Sequence, residues 1–177
     1  MSEKLSVQEQ STPIAEDLER EDWLKRYREA RSATIASKFH ENWRRTRLQE
    51  DGSYTPRIKE TTDKDWIAAH GSNQVDIANT DYFGLPRDWQ EENVAAARVI
   101  YDLVDNFRTR GMVVGMFENP APAGTRVHEE WLGRNQWAAG GELDKPFVEL
   151  PADEQAKDVE QVQIGRREFG YQERRAA

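Results

Sequence analysis

The chain has 177 residues, 37% of them hydrophobic and 33% charged, with a formal net charge of -8 and no cysteine. That length fits one domain or one domain with a tail, and six Trp, five Tyr and six Phe imply a small, aromatic-rich core. Acidity disfavours general nucleic-acid binding, the lack of cysteine excludes disulfides and thiolate zinc, and no apolar run approaches the roughly 20 residues of a membrane span.

Residues 1–12 are polar and aperiodic, which predicts a disordered arm without a signal core and a cytoplasmic protein. Thr12-Pro13 then opens a helix, with the hydroxyl as cap and Pro at the first helical position. Ile14, Leu18, Trp23, Leu24 and Tyr27 follow at helical intervals to about residue 31. Ile35, Phe39 and Trp43 make a second stripe, either on a helix capped by Ser32 or on a continuation of the first. Arg44, Arg45 and Arg47 suit the helix end, and Asp51-Gly52 is a turn.

Residues 53–84 read as mainly irregular. Within them, Thr62-Asp63-Lys64-Asp65 caps a short helix that Gly71 closes, and the polarity of residues 75–83 argues against a strand. Leu85-Pro86 opens the clearest helix, with Trp89, Ala96 or Ala97, Ile100, Val104 and Phe107 along one side. An apolar connection, MVVGMF at 112–117, leads through a Pro/Gly turn to a helix at about 123–134 with Val127, Trp131 and Leu132 inward. Leu150-Pro151 opens the last helix, to about Glu168, and the polar tail 169–177 frays. The expected fold is all-α: a small bundle over 13–168, made of two helix-loop-helix halves with long irregular connections.

Those halves are visible as an internal repeat. His40-Glu41-Asn42-Trp43 precedes Leu85-Pro86-Arg87-Asp88-Trp89-Gln90, and His128-Glu129-Glu130-Trp131 precedes Leu150-Pro151-Ala152-Asp153-Glu154-Gln155. One hairpin cannot bury its apolar stripe alone, so the two should pack together. In each copy Trp is expected to anchor the core with His beside it. Pro occupies the first turn, Asp meets the free amides there, and Leu packs back as a staple.

At these residues the sequence resembles the ryanodine-receptor Ry (RyR) domain in its small bacterial and phage versions. The resemblance lies in Ile35-Ala36-Ser37-Lys38-Phe39-His40-Glu41, in Trp89-Gln90-Glu91-Glu92-Asn93, in His128 to Trp131, and in the run from Pro146-Phe147 through Leu150-Pro151 to Gln155-Ala156-Lys157-Asp158. It covers roughly 35–160 in patches. Phe147 stands where the family tends to have Tyr, a Gly-Trp-x-Tyr-Gly segment is shortened to residues 135–141, and 51–84 has no counterpart. The resemblance implies a compact helical domain for interaction or ligand sensing, without a catalytic centre, and it suggests a nucleotide-derived ligand.

The residues admit three kinds of chemistry. His40 and His128, if the halves face each other, would join Glu41 and Glu129 in a two-His, two-carboxylate set. Adjacent helix positions point about 100° apart, however, and Glu-x-x-His is absent, so no metal is expected. There is no Gly-x-Ser-x-Gly elbow, phosphate loop or dinucleotide fingerprint, so no enzyme and no cofactor are expected. The remaining reading is a binding module for a nucleotide-type small molecule. Its candidate residues are His40, Trp43, Arg44, Arg57, Trp66, His70, Tyr82, His128 and Trp131, with Lys59 beside Arg57 for a phosphate. They are expected where both His-Glu helices meet the 51–84 loop. A protein partner contacting 112–117 is the alternative.

Overall fold

The computed structural model describes residues 13–109 and 121–169, and side chains from 17 to 105 and from 121 to 169. The expected arm at 1–12, the 112–117 run, the tail from 170 and the side chains of Ile14 and Phe107 lie outside the described residues. Among those described, five α-helices carry the fold: α1 (Pro13–Arg45), α2 (Lys64–His70), α3 (Arg87–Thr109), α4 (Ala121–Arg134) and α5 (Ala152–Glu168). Two three-residue strands, β1 (Ile58–Glu60) and β2 (Gln74–Asp76), make one antiparallel hairpin. No described helix is long and apolar enough to cross a membrane.

The two stripes at the start of the chain belong to one continuous helix of 33 residues, about 50 Å long. No Gly or Pro interrupts Ala30-Arg31-Ser32-Ala33, and Ser32 is buried inside the helix instead of capping a new one. The C-terminal part of α1 packs on α3 and α5, fixed by Arg28 to Asp102 at 2.5 Å, by Arg98 to Glu29 at 2.6 Å, and by Arg31 to the Glu168 carbonyl. Its first turns leave Leu18, Trp23, Leu24 and Tyr27 exposed.

The core is aliphatic, against the aromatic core expected from composition. It holds Ile35, Ala36, Ala97, Ile100, Val104, Ala123, Val127, Val162 and Ile164, with Phe39, Tyr82 and Phe147 as its rings. None of the six Trp is buried. Ala36, Ala97, Ala123, Gly124 and Gly165 let the backbones approach closely, which leaves no room for an indole between them.

The repeat is a three-dimensional one. α1 and α4 each pack against α3 and α5, and α3 and α5 touch each other at the centre. The central contact is between Ile100 and Gly165: a Cβ added to Gly165 would lie 2.0 Å from Ile100 Cγ2. Both residues occupy the same position counted from the Leu-Pro that opens their helix. Equivalent positions meeting each other is the signature of a two-fold axis, and the pair fits because one partner has no side chain.

The insertion that lengthens the first half is more ordered than its polarity suggested. β1 pairs with β2 in the register Lys59 to Val75, and burial of Val75 fixes which side faces in. α2 ends at Gly71 in the left-handed region (φ 70°), whose N–H donates to the Ile67 carbonyl. Asp88 had been expected to cap its own helix. It accepts from the Trp89 N–H of that helix at 3.0 Å, and also from Thr61 Oγ1 at 2.7 Å and the Thr62 N–H at 2.7 Å, while Asp63 accepts from the Arg87 N–H at 2.8 Å. Each helix thus caps the approach to the other. Burial alone would raise the Asp88 carboxyl, but the bonds from Thr61, Thr62 and Trp89 together hold it below the usual carboxylate range. Asp88→Ala is therefore expected to cost about 2 kcal/mol. Amide exchange should speed up over 58–76 and stay unchanged in α4 and α5; uniform acceleration would contradict this linkage.

Candidate functional site

Each half builds the same joint. His40 Nε2–H donates to the Thr80 carbonyl at 2.8 Å, and His128 Nε2–H donates to the Lys145 carbonyl at 2.9 Å. The acceptor in both cases is a carbonyl, so the ring nitrogen must be the donor. Trp43 stacks on His40 at 5.8 Å between centroids, and Trp131 on His128 at 6.1 Å. The carbonyls belong to segments that run into single 3-10 turns, Tyr82–Gly84 and Phe147–Glu149. Each turn is then gripped from behind by a glutamine. Gln90 Nε2 donates to the Leu85 carbonyl at 2.8 Å, and Gln155 Nε2 to the Leu150 carbonyl at 2.8 Å.

The histidines and tryptophans therefore exchange the parts expected of them. Both His rings are buried, and both Trp rings are half-buried lids beside them. Burial pushes the His40 imidazole below its ordinary value, against the pull of the Thr80 bond. A His bonded this way fixes a loop, and its Nε2–H is no longer available to a ligand. His40 and His128 do not face each other; each turns to its own loop carbonyl. Among the described residues, no three His, Asp or Glu side chains gather as a metal site would require.

The other candidates separate into local groups. Arg44 clamps the insertion to α1: its Nε donates to the Ala78 carbonyl at 2.8 Å, Nη1 meets Glu41 at 2.8 Å, and the guanidinium lies 4.5 Å from the Tyr54 ring centre. Trp66 and His70 stack on each other on α2 at 3.9 Å, and His70 Nδ1 bonds the Trp66 carbonyl. Arg57 is exposed at the hairpin edge, and its neighbour Lys59 lies over the Trp89 ring at 5.8 Å. The single site expected where both His-Glu helices meet 51–84 is not formed. α1 meets that segment, and α4 meets the shorter loop before Leu150.

What the joint does form is a pair of related clefts. The first, about 450 Å³, lies between α1, the Tyr82 turn and the end of α5. Ser37, Lys38, Asn42, Arg45, Tyr82 and Phe83 are among its walls. The second, about 340 Å³, has Thr125, Glu129, Phe147 and Val148 at the equivalent positions of Ser37, Glu41, Tyr82 and Phe83. At the tips of the two turns Phe83 is 81% exposed and Val148 69% exposed, although each follows a buried ring. Tyr82 is thus the one candidate from the sequence that lines the first cleft, as its floor.

The clefts differ in charge. Lys38, Asn42 and Arg45 fall at i, i+4 and i+7 on α1, and neither cation has an ion-pair partner among the described residues. In the second half Arg126 takes the place of Lys38 and pairs with Glu129 and Glu130, while Gly133 takes the place of Arg45. Phe83 stands out in the sequence among the aromatic loop residues able to stack on a ring, whereas Lys38, Asn42 and Arg45 carry no such signal. The available signal was an apolar dipeptide, Tyr82-Phe83 or Phe147-Val148, placed identically before each Leu-Pro.

No protein-family model matches the chain, and no curated protein and no solved structure matches it.

Proposed function

We propose that the protein is a non-enzymatic, cytoplasmic binding module whose first cleft takes a small nucleotide-type ligand. The observation that carries this reading is the exposed Phe83 ring at the rim of a cleft whose α1 wall presents two unpaired cations, Lys38 and Arg45; of the carboxylates in the lining, Glu41 is paired with Arg44, Asp81 accepts from the Gly84 N–H, and Glu168 is the third. A flat base can stack on that ring, which is worth about 1–3 kcal/mol per base. Lys38 and Arg45 reach the phosphate end, and Asn42 between them offers both a donor and an acceptor. The resemblance to the RyR domain points the same way. The carbonyl-bonded histidines support a binding role over a catalytic one, because the Nε2–H of each is committed to a loop carbonyl. The acidity of the whole chain favours a compact anion held at a local cationic stripe over an extended nucleic acid.

Adenosine diphosphate is the probe, with binding followed by calorimetry. Phe83→Ala is expected to weaken it about tenfold through lost stacking. Lys38→Glu with Arg45→Glu should abolish binding, whereas Trp66→Ala, on the far α2 patch, should leave it unchanged. No heat with adenosine diphosphate, or equal affinity for the Phe83→Ala protein, contradicts the reading.

A second reading, a protein partner, is favoured by one observation. The exposed tips Phe83 and Val148 are joined by Leu18, Trp23, Leu24 and Trp137 as large apolar side chains in solvent. Under that reading Phe83→Ala and Val148→Ala would weaken the same complex, and nucleotides would have no effect.

A further inference from the structure

The two halves differ most where the first is filled. Counted from Pro86, α3 places Trp89, Asn93 and Ala96 along the face beside α1; counted from Pro151, α5 places Glu154, Asp158 and Gln161 at the same three positions. In the first half the Trp89 indole packs against the core and donates to the Glu60 carbonyl at 3.1 Å. The hairpin covers it, with Lys59 lying 5.8 Å from the ring centre. In the second half no indole stands there and the covering loop is shorter. A cavity of about 270 Å³ remains, walled by Trp131, Leu143 and Leu150 and floored by His128, Glu154, Asp158 and Gln161.

Two of the acceptors of this cavity, Asp158 and Gln161 Oε1, lack donors among the described residues. Lys157, which also lines the cavity, is already paired through Nζ with Glu154 at 2.6 Å. Asp158, with only 13% of its side chain exposed, receives no hydrogen bond among the described residues; its nearest polar neighbour, His128 Nδ1, is 3.6 Å away. His128 cannot swing closer, because its Nε2–H is held by Lys145. Gln161 Oε1 is buried and has no donor either. A carboxylate taken out of water without donors costs several kcal/mol unless something meets it. The face of an indole, here Trp131, is a favourable surface for a cation.

We infer that this second-half cavity binds a small primary alkylammonium ion, with its N–H donors directed to Asp158 Oδ and Gln161 Oε1, its charge beside the Trp131 ring and its alkyl chain against Leu143 and Leu150. A neutral apolar ligand would leave both acceptors unmet, and an anion would face Asp158 directly. The site is separate from the nucleotide cleft, shares none of its lining residues, and does not depend on it.

The test is titration of the full chain with n-butylammonium chloride, read by the indole N–H signals of a nitrogen-labelled sample, with n-butanol as the neutral control. The expected result is saturable shifts of the Trp131 signal with n-butylammonium only. Asp158→Asn and Trp131→Phe should each weaken binding by about tenfold or more, the first through loss of the charge and the second through the weaker face of a single ring. Asp158→Asn places in the second half the residue type that the first half carries as Asn93, so loss of binding there does not come from loss of the fold. An absence of saturable shifts, equal response to n-butanol, or unchanged affinity in the Asp158→Asn protein overturns the inference.

Discussion

Replacing Gly165 by Ala is expected to destabilise the protein by about 2–3 kcal/mol, although Gly to Ala inside an exposed helix ordinarily gains about 1 kcal/mol. The reversal comes from the contact at the centre of the bundle. The new Cβ would lie 2.0 Å from Ile100 Cγ2 and 3.5 Å from Ile100 Cβ, and Ile100 is fully buried with no direction in which to yield. α3 and α5 would have to part, and each carries an outer helix with it. The cause can be isolated by a double-mutant cycle in urea. Ile100→Ala alone should cost about 2–5 kcal/mol through the cavity it leaves. In that background the Gly165→Ala change should be neutral or stabilising, because the blocking methyl has gone. An equal effect in both backgrounds would show that the two positions do not meet.

The second large effect has the opposite sign. Asp158→Asn is expected to stabilise the protein at pH 7.5 by up to about 3 kcal/mol, and by almost nothing near pH 4. Burial raises the Asp158 carboxyl from 3.8 to about 6, and the neighbouring His128 only partly offsets it. The folded state therefore holds this proton more tightly than the unfolded chain does. Its contribution to stability is complete below about 4 and is lost as pH rises through about 6. Above that, a buried carboxylate without donors is carried at a cost that Asn does not incur. Thermal melts of both proteins from pH 4 to pH 7.5 should converge at the acid end. Parallel curves would show that Asp158 titrates alike in both states. His40 contributes in the other direction, since its lowered value makes folding lose stability as pH falls below the ordinary His range. It is common to both proteins and cancels in the difference.

The helices were legible because their signals are local. Leu85-Pro86 and Leu150-Pro151 set the starts of α3 and α5, Asp63 and Gly71 bound α2, and Ile35, Phe39, Ile100 and Val104 fall on the faces that are buried. The hairpin was not legible. Its strands are three residues long and mostly polar, and one buried side chain, Val75, is too little alternation to detect. The junction at Ser32 stayed open because a serine both caps helices and fits within them.

The candidate site was legible as a repeat but not as a place. Two His-Glu-x-Trp and two Leu-Pro-x-Asp-x-Gln motifs announced a joint. Their most distinctive residues, however, proved to be the ones that build it: His40 and His128 hold carbonyls, and Gln90 and Gln155 grip turns. The surfaces left over for a ligand belong to residues between the motif positions, such as Lys38, Asn42, Arg45 and Phe83. Asp88 and Asp153 make the same point, since matching letters carry different duties. Asp88 is tied to the insertion, and Asp153 is exposed where no insertion exists.

The measurement that bears most directly on the binding reading is a map of amide shifts as adenosine diphosphate is added to labelled protein. Saturable shifts should cluster at Lys38, Asn42, Arg45, Phe83 and the end of α5. The α2 patch around Trp66 and His70 and the second-half turn at Val148 should stay still. Shifts centred on Trp66 and His70, equal shifts in both clefts, or none up to millimolar ligand would contradict the account.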